Sequence, residues 1–101
     1  MSDVIVFDSE ILPSHYLVCA RRLADGKTRI LWGHKPQDME MLGALLANPN
    51  LQWAGFNSRK FDMPIALAAA GGASIEELKR MANDIAENNK PEWMTYRDYG
   101  I

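Results

Sequence analysis

Four apolar residues, Val4-Ile5-Val6-Phe7, run without a polar break into Asp8-Ser9-Glu10. The run is β-branched and aromatic, which predicts a strand. Its lack of alternation predicts a strand covered on both faces. A chain that starts this way has to build a sheet around that strand. Side chains two apart on a strand share a side, so Asp8 and Glu10 leave its end together. Two acids held close repel unless a cation lies between them. A divalent ion that prefers hard oxygen ligands, such as Mg²⁺, suits that place. Each acid also has an ordinary use by itself, Asp8 at a turn and Glu10 in solvent.

The rest of the chain supplies the other parts of a sheet domain. His15 to Leu23 reads as a second strand, Asp25-Gly26 as a tight turn, and Lys27 to Trp32 as the returning strand. Pro36 suits the first turn of a helix, in which Met39, Leu42, Leu45 and Leu46 recur at helical spacing. Asn48-Pro49-Asn50 stops that helix. Leu51 to Phe56 reads as a fourth strand. Asp62-Met63-Pro64 opens a second helix with Asp62 near its N-cap, and Gly71-Gly72 closes it. Ser74 and Glu77 have capping-box spacing, and Ile75, Leu78, Met81, Ala82 and Ile85 share one face of the third helix. Asn88-Asn89-Lys90-Pro91 ends it. Trp93 to Ile101 reads as an aromatic tail leading toward a further element. The order β-β-β-α-β-α-α predicts an α/β domain with a mixed sheet. Three antiparallel strands come first, then a helix, then a fourth strand parallel to the first.

Composition narrows the function. Residues 1–101 make one domain by length. No apolar run approaches the roughly 20 residues of a membrane helix, and no basic start leads into a long apolar stretch. One cysteine, Cys19, makes neither an internal disulfide nor a thiolate zinc site. The expectation is a soluble, cytoplasmic protein without a membrane partner. Eleven basic residues face thirteen acidic ones, for a net charge of −2. That excludes broad coating of a duplex, which needs a basic patch. It allows a small site where bound cations meet the phosphate.

The fourth strand leads into Gly55-Phe56-Asn57-Ser58-Arg59-Lys60-Phe61-Asp62-Met63-Pro64. In a sheet of this order its end lies beside the end of the first strand, where ligands of open α/β sheets gather. Asp62 can then face Asp8. Singly, Asp62 is a helix cap, Asn57 a turn residue, and Arg59 with Lys60 a solvated pair.

Together, Phe7-Asp8-Ser9-Glu10 and Gly55-Phe56-Asn57 with Phe61-Asp62 and Pro64 resemble the first two motifs of the DEDD, or DnaQ-like, 3′–5′ exonuclease superfamily. The resemblance spans about residues 4–72. It implies a ribonuclease H-like fold and hydrolysis at the 3′ end of single-stranded DNA or RNA, releasing nucleoside 5′-monophosphates. It implies two Mg²⁺ or Mn²⁺ ions, about 3.5–4 Å apart in such sites. Asp8 and Glu10 would be direct ligands, with Asp8 bridging, and Asp62 would hold the second ion through water. One ion would activate water and the other stabilise the departing 3′ oxygen. Ile11 and Leu12 fall where the family packs against the terminal nucleotide, and by position they equally suit core or loop. Asn57 and Phe61 fall where the family shapes the strand groove, and Phe61 also suits the core.

The family pattern asks for a fourth acid preceded by Tyr or His four or five residues earlier. Asp84 has Arg80 and Lys79 there, and Asp98 has Met94 and Trp93. Tyr96 lies only two before Asp98, and both histidines, His15 and His34, lie upstream as surface or turn residues. The family fold also has a further strand and a final helix. The chain is therefore expected to be the N-terminal portion of such an exonuclease domain, weak or inactive alone. The alternative is a binding module of the same fold without catalysis. The open edge beside the fourth strand predicts self-association or strand exchange between copies.

Overall fold

The computed structural model describes residues 3–55 and 61–101. Strands β1 (Asp3–Ile11), β2 (Tyr16–Arg22) and β3 (Thr28–Trp32) come first, then helix α1 (Pro36–Leu46) and strand β4 (Leu51–Ala54). Helices α2 (Met63–Ala70), α3 (Ile75–Glu87) and α4 (Glu92–Tyr99) follow. The sheet order is β3-β2-β1-β4, with β1 antiparallel to β2, β2 antiparallel to β3, and β1 parallel to β4. This is the predicted α/β mixed sheet. It puts β1 in the interior and leaves β3 and β4 as edges.

The β2–β3 hairpin turns where the sequence indicated. Gly26 adopts φ +72°, a left-handed conformation that a side chain would strain. Asp25 braces the turn by accepting from the Lys27 amide at 3.0 Å and pairing with Arg22 at 2.6 Å. α1 starts at Pro36, and its Asp38 accepts the Trp32 amide at 3.0 Å, tying the end of β3 to the helix. Ser74 and Glu77 form the expected reciprocal capping box on α3.

Helices α1, α2 and α3 lie on one face of the sheet. Met39 and Leu42 of α1, Ile65, Ala66 and Ala69 of α2, and Leu78, Met81 and Ile85 of α3 pack on Ile5, Phe7, Tyr16, Val18, Ala20 and Leu31. The expectation that β1 is covered on both faces is therefore corrected. Ile5 and Phe7 are buried, but Val6 is 40% exposed on the other side. Non-alternating apolar sequence here reflects an uncovered apolar face, not a second layer.

The aromatic tail is corrected too. Residues 92–99 form α4, capped by Gly100 at φ +66°. Its anchor is polar. Lys90 reaches Asp84 of α3 at 2.6 Å and Asp98 of α4 at 2.8 Å. The Tyr99 hydroxyl donates to Asp84 at 2.6 Å. Lys90, then Tyr99 and Asn88, hold the Asp84 carboxyl down at a pKa of about 2. Asp84 thus ties two helices together.

Candidate active site

The site starts from the two-residue period of β1. Ile5, Phe7 and Ser9 turn to the helix-covered face, and Val6, Asp8 and Glu10 to the open one. Asp8 lies opposite Cys19 and Glu10 opposite Leu17 on β2. Both acids are exposed and share one side, as the spacing predicts. The last β4 pairing is Val6 with Ala54, so among the described residues β1 has only β2 beside it from Phe7 to Ile11. The acids therefore sit on the strand end that extends past the last described β4 pairing.

Asp62 arrives on the helix-covered side of β1. It is 4% exposed, and its carboxylate accepts from the Ser9 hydroxyl at 2.7 Å. It stands at the N-cap of α2 as expected, yet with helical dihedrals and no side-chain bond to its own helix. The carboxylate is directed at β1 instead. The bond brings Asp62 to the residue between Asp8 and Glu10, although from the opposite face. Among the described residues, no three His, Cys, Asp or Glu side chains cluster closely enough to hold a metal ion.

Tyr16 completes the buried polar layer. It is 2% exposed and pairs with Ile11 across the strands. Its hydroxyl lies near Ser9 and Asp62 but has no partner in hydrogen-bond geometry among the described residues. Burial raises its pKa well above the usual phenol value; Ser9 lowers it and the Asp62 charge raises it.

A cleft of about 560 Å³ opens beside this layer, lined by Ile11, Leu12, Pro13, Phe61, Lys79, Ala82 and Asn83. Three of the predicted substrate residues, Ile11, Leu12 and Phe61, thus share one hollow. The fourth, Asn57, lies outside the described residues, as do Arg59 and Lys60. Lys79 donates to the Pro13 carbonyl and holds the β1–β2 loop against α3. Lys79 and Asn83, one helical turn apart on α3, were not singled out for this cleft by sequence. Neither were Ser9 and Tyr16. A spacing of four on α3 was the available signal for the first pair.

The donor set suits a hard divalent ion. Mg²⁺ is commonly held by one or two carboxylates together with water and substrate phosphate, and Asp8 with Glu10 offers that much. Asp62 approaches β1 from the other face, with one carboxylate oxygen held by Ser9. No family model, no curated protein and no solved structure matches the chain.

Proposed function

We propose that this chain is the metal-dependent 3′–5′ exonuclease domain, or its front portion, that its two motifs resemble, built on a ribonuclease H-like sheet. The observation that carries the reading is that Asp8 and Glu10 share the open face of one strand end while Asp62 reaches Ser9, the residue between them, from the covered face. The adjoining Ile11–Leu12–Phe61 cleft supports it. Asp8 and Glu10 would hold Mg²⁺ or Mn²⁺. A bound ion would offset the charge of the scissile phosphate and polarise it toward attack. The chain's own part is to orient. The open face presents the two acids to the phosphate, and Ile11, Leu12 and Phe61 exclude water around the terminal sugar and base. Lys79 and Asn83 supply polar contacts at the cleft wall.

The burial of Asp62 against Ser9 favours a second reading, a binding module of the same fold that does no hydrolysis. One experiment separates them. A single strand labelled in its 3′-terminal nucleotide is incubated with the chain and Mg²⁺ or Mn²⁺, and release of the labelled mononucleotide is followed. The exonuclease reading expects release that EDTA stops and that Asp8→Ala and Glu10→Gln each reduce at least about 100-fold, within the range one catalytic group contributes. Strand binding that needs no metal ion and survives Asp8→Ala, without release, supports the module, whereas metal-dependent binding that Asp8→Ala abolishes is what an exonuclease portion inactive alone would give. Absence of both strand binding and a metal-induced rise in melting temperature refutes both readings.

A further inference from the structure

Trp32 ends β3, His34 follows it, and His15 stands just before β2. Their rings meet edge to face, His15 with His34 at 4.5 Å between centroids, Trp32 with His34 at 5.6 Å and His15 with Trp32 at 6.4 Å. The core does not use them. Trp32 pairs with Leu17 on the open face of the sheet, in the same cross-strand row as Glu10. His34 is exposed and His15 half-buried. The cluster is nevertheless held in place. The Ser14 hydroxyl lies 2.9 Å from the His15 Nδ1, and the Trp32 amide is anchored on Asp38.

With Leu12 and Lys35 the three rings line a second cleft, of about 530 Å³. That is the size of a small-molecule site. Leu12 also lines the Phe61 cleft, so the two hollows share a wall. Their chemistry repeats. The first pairs a ring, Phe61, with Lys79, and the second pairs Trp32 and the imidazoles with Lys35. Among the described residues neither hollow is lined by a carboxylate. A ligand that fits both carries a flat ring and a negative charge in each repeating unit. Single-stranded nucleic acid has that pattern, because aromatic side chains stack any base and cations follow the backbone.

We propose that the His15–Trp32–His34 cluster is the stacking site for the second base of a single strand whose terminal nucleotide occupies the Leu12–Phe61 cleft, with Lys35 on the intervening backbone. The proposal rests on the exonuclease reading above and adds the path of the strand. Leu12 is the divider between the two bases.

The test is calorimetric titration of the native chain, in Mg²⁺, with thymidine 5′-monophosphate and with the thymidine dinucleotide. Alanine replacement of a stacking ring typically changes binding by about 1–3 kcal/mol per base, so the second nucleotide should tighten binding by roughly 5-fold or more. Trp32→Ala should remove that step. His34→Ala, at an exposed position that leaves the fold intact, should shrink it. Lys35→Gln should lower the salt dependence of dinucleotide binding by about 0.7 in log–log slope. All three variants should bind the mononucleotide as the native chain does. Equal affinity of the native chain for the two ligands overturns the stacking site and leaves the exonuclease reading standing. So does a step that survives both Trp32→Ala and His34→Ala. If the native chain binds neither ligand, both ideas are lost.

Discussion

The two faces of the sheet differ in kind. On one, Ile5, Phe7, Val18, Ala20 and Leu31 are sealed under three helices. On the other, Val6 and Ile30 stand 40% and 50% exposed beside Asp8 and Glu10. The same strands supply both sets, one residue apart. The covered face concentrates the burial that holds the domain together, at roughly 25 cal/mol per Å² of apolar surface removed from water. The open face leaves the acids solvated, where they can meet a cation. Strand parity thus divides the residues of β1 between a sealed face and a solvated one.

The sharpest way to break this contrast is to cut one residue from each face. Leu42 is fully buried, and Leu42→Ala should cost about 2–5 kcal/mol in urea unfolding. Ile30→Thr on the open face should cost about 1 kcal/mol or less. Similar losses would mean that the open face is covered in solution, by a second copy if the Ile30→Thr loss depends on protein concentration.

A finer test uses the polar layer inside the covered face. Ser9→Ala removes a donor from a buried carboxylate and should cost about 1–3 kcal/mol. Tyr16→Phe removes a buried hydroxyl that has no partner among the described residues. It should be neutral or stabilising, by up to about 1 kcal/mol. A large loss from Tyr16→Phe would show that this hydroxyl holds the layer together.

The smallest expected effect concerns the polar anchor of α4. The Asp84 carboxyl titrates near pH 2 in the fold, and Lys90 and Arg97 hold Asp98 low as well. An unfolded aspartate titrates near 3.9. Groups lowered this way stabilise the fold above about pH 4 and lose that contribution as pH falls toward 2. Lys90→Met should therefore melt below the native chain at pH 7, and the gap should narrow by pH 2.5. A gap independent of pH would show that Lys90 acts through packing alone.

Much of this was legible in the sequence, for identifiable reasons. Asp25-Gly26, Pro36, Asn48-Pro49 and the Ser74–Glu77 box punctuate the chain locally, so element order followed from them. The shared side of Asp8 and Glu10 followed from the period of a strand. The missed features depend on partners distant in sequence or on polar contacts. α4 escaped because its anchor is Lys90 between two aspartates, while its largest side chain, Trp93, is 61% exposed. Apolar periodicity cannot register such a helix. The approach of Asp62 from the covered side depends on how α2 meets the sheet, which no local spacing encodes. Ser9 drew no notice because a hydroxyl between two acids has no signature until its partner is known.

The alternation of β1 has one more consequence. A slip of β1 by a single residue would turn Asp8 and Glu10 into the helix-covered layer and push Phe7 into water. Ionised carboxylates buried without partners are among the most costly groups a fold can enclose. Whatever these acids bind, they also act as a ratchet on strand pairing. They make every odd-numbered misalignment with β2 costly, so the feature proposed for chemistry also keeps each side chain of β1 on its own face of the sheet.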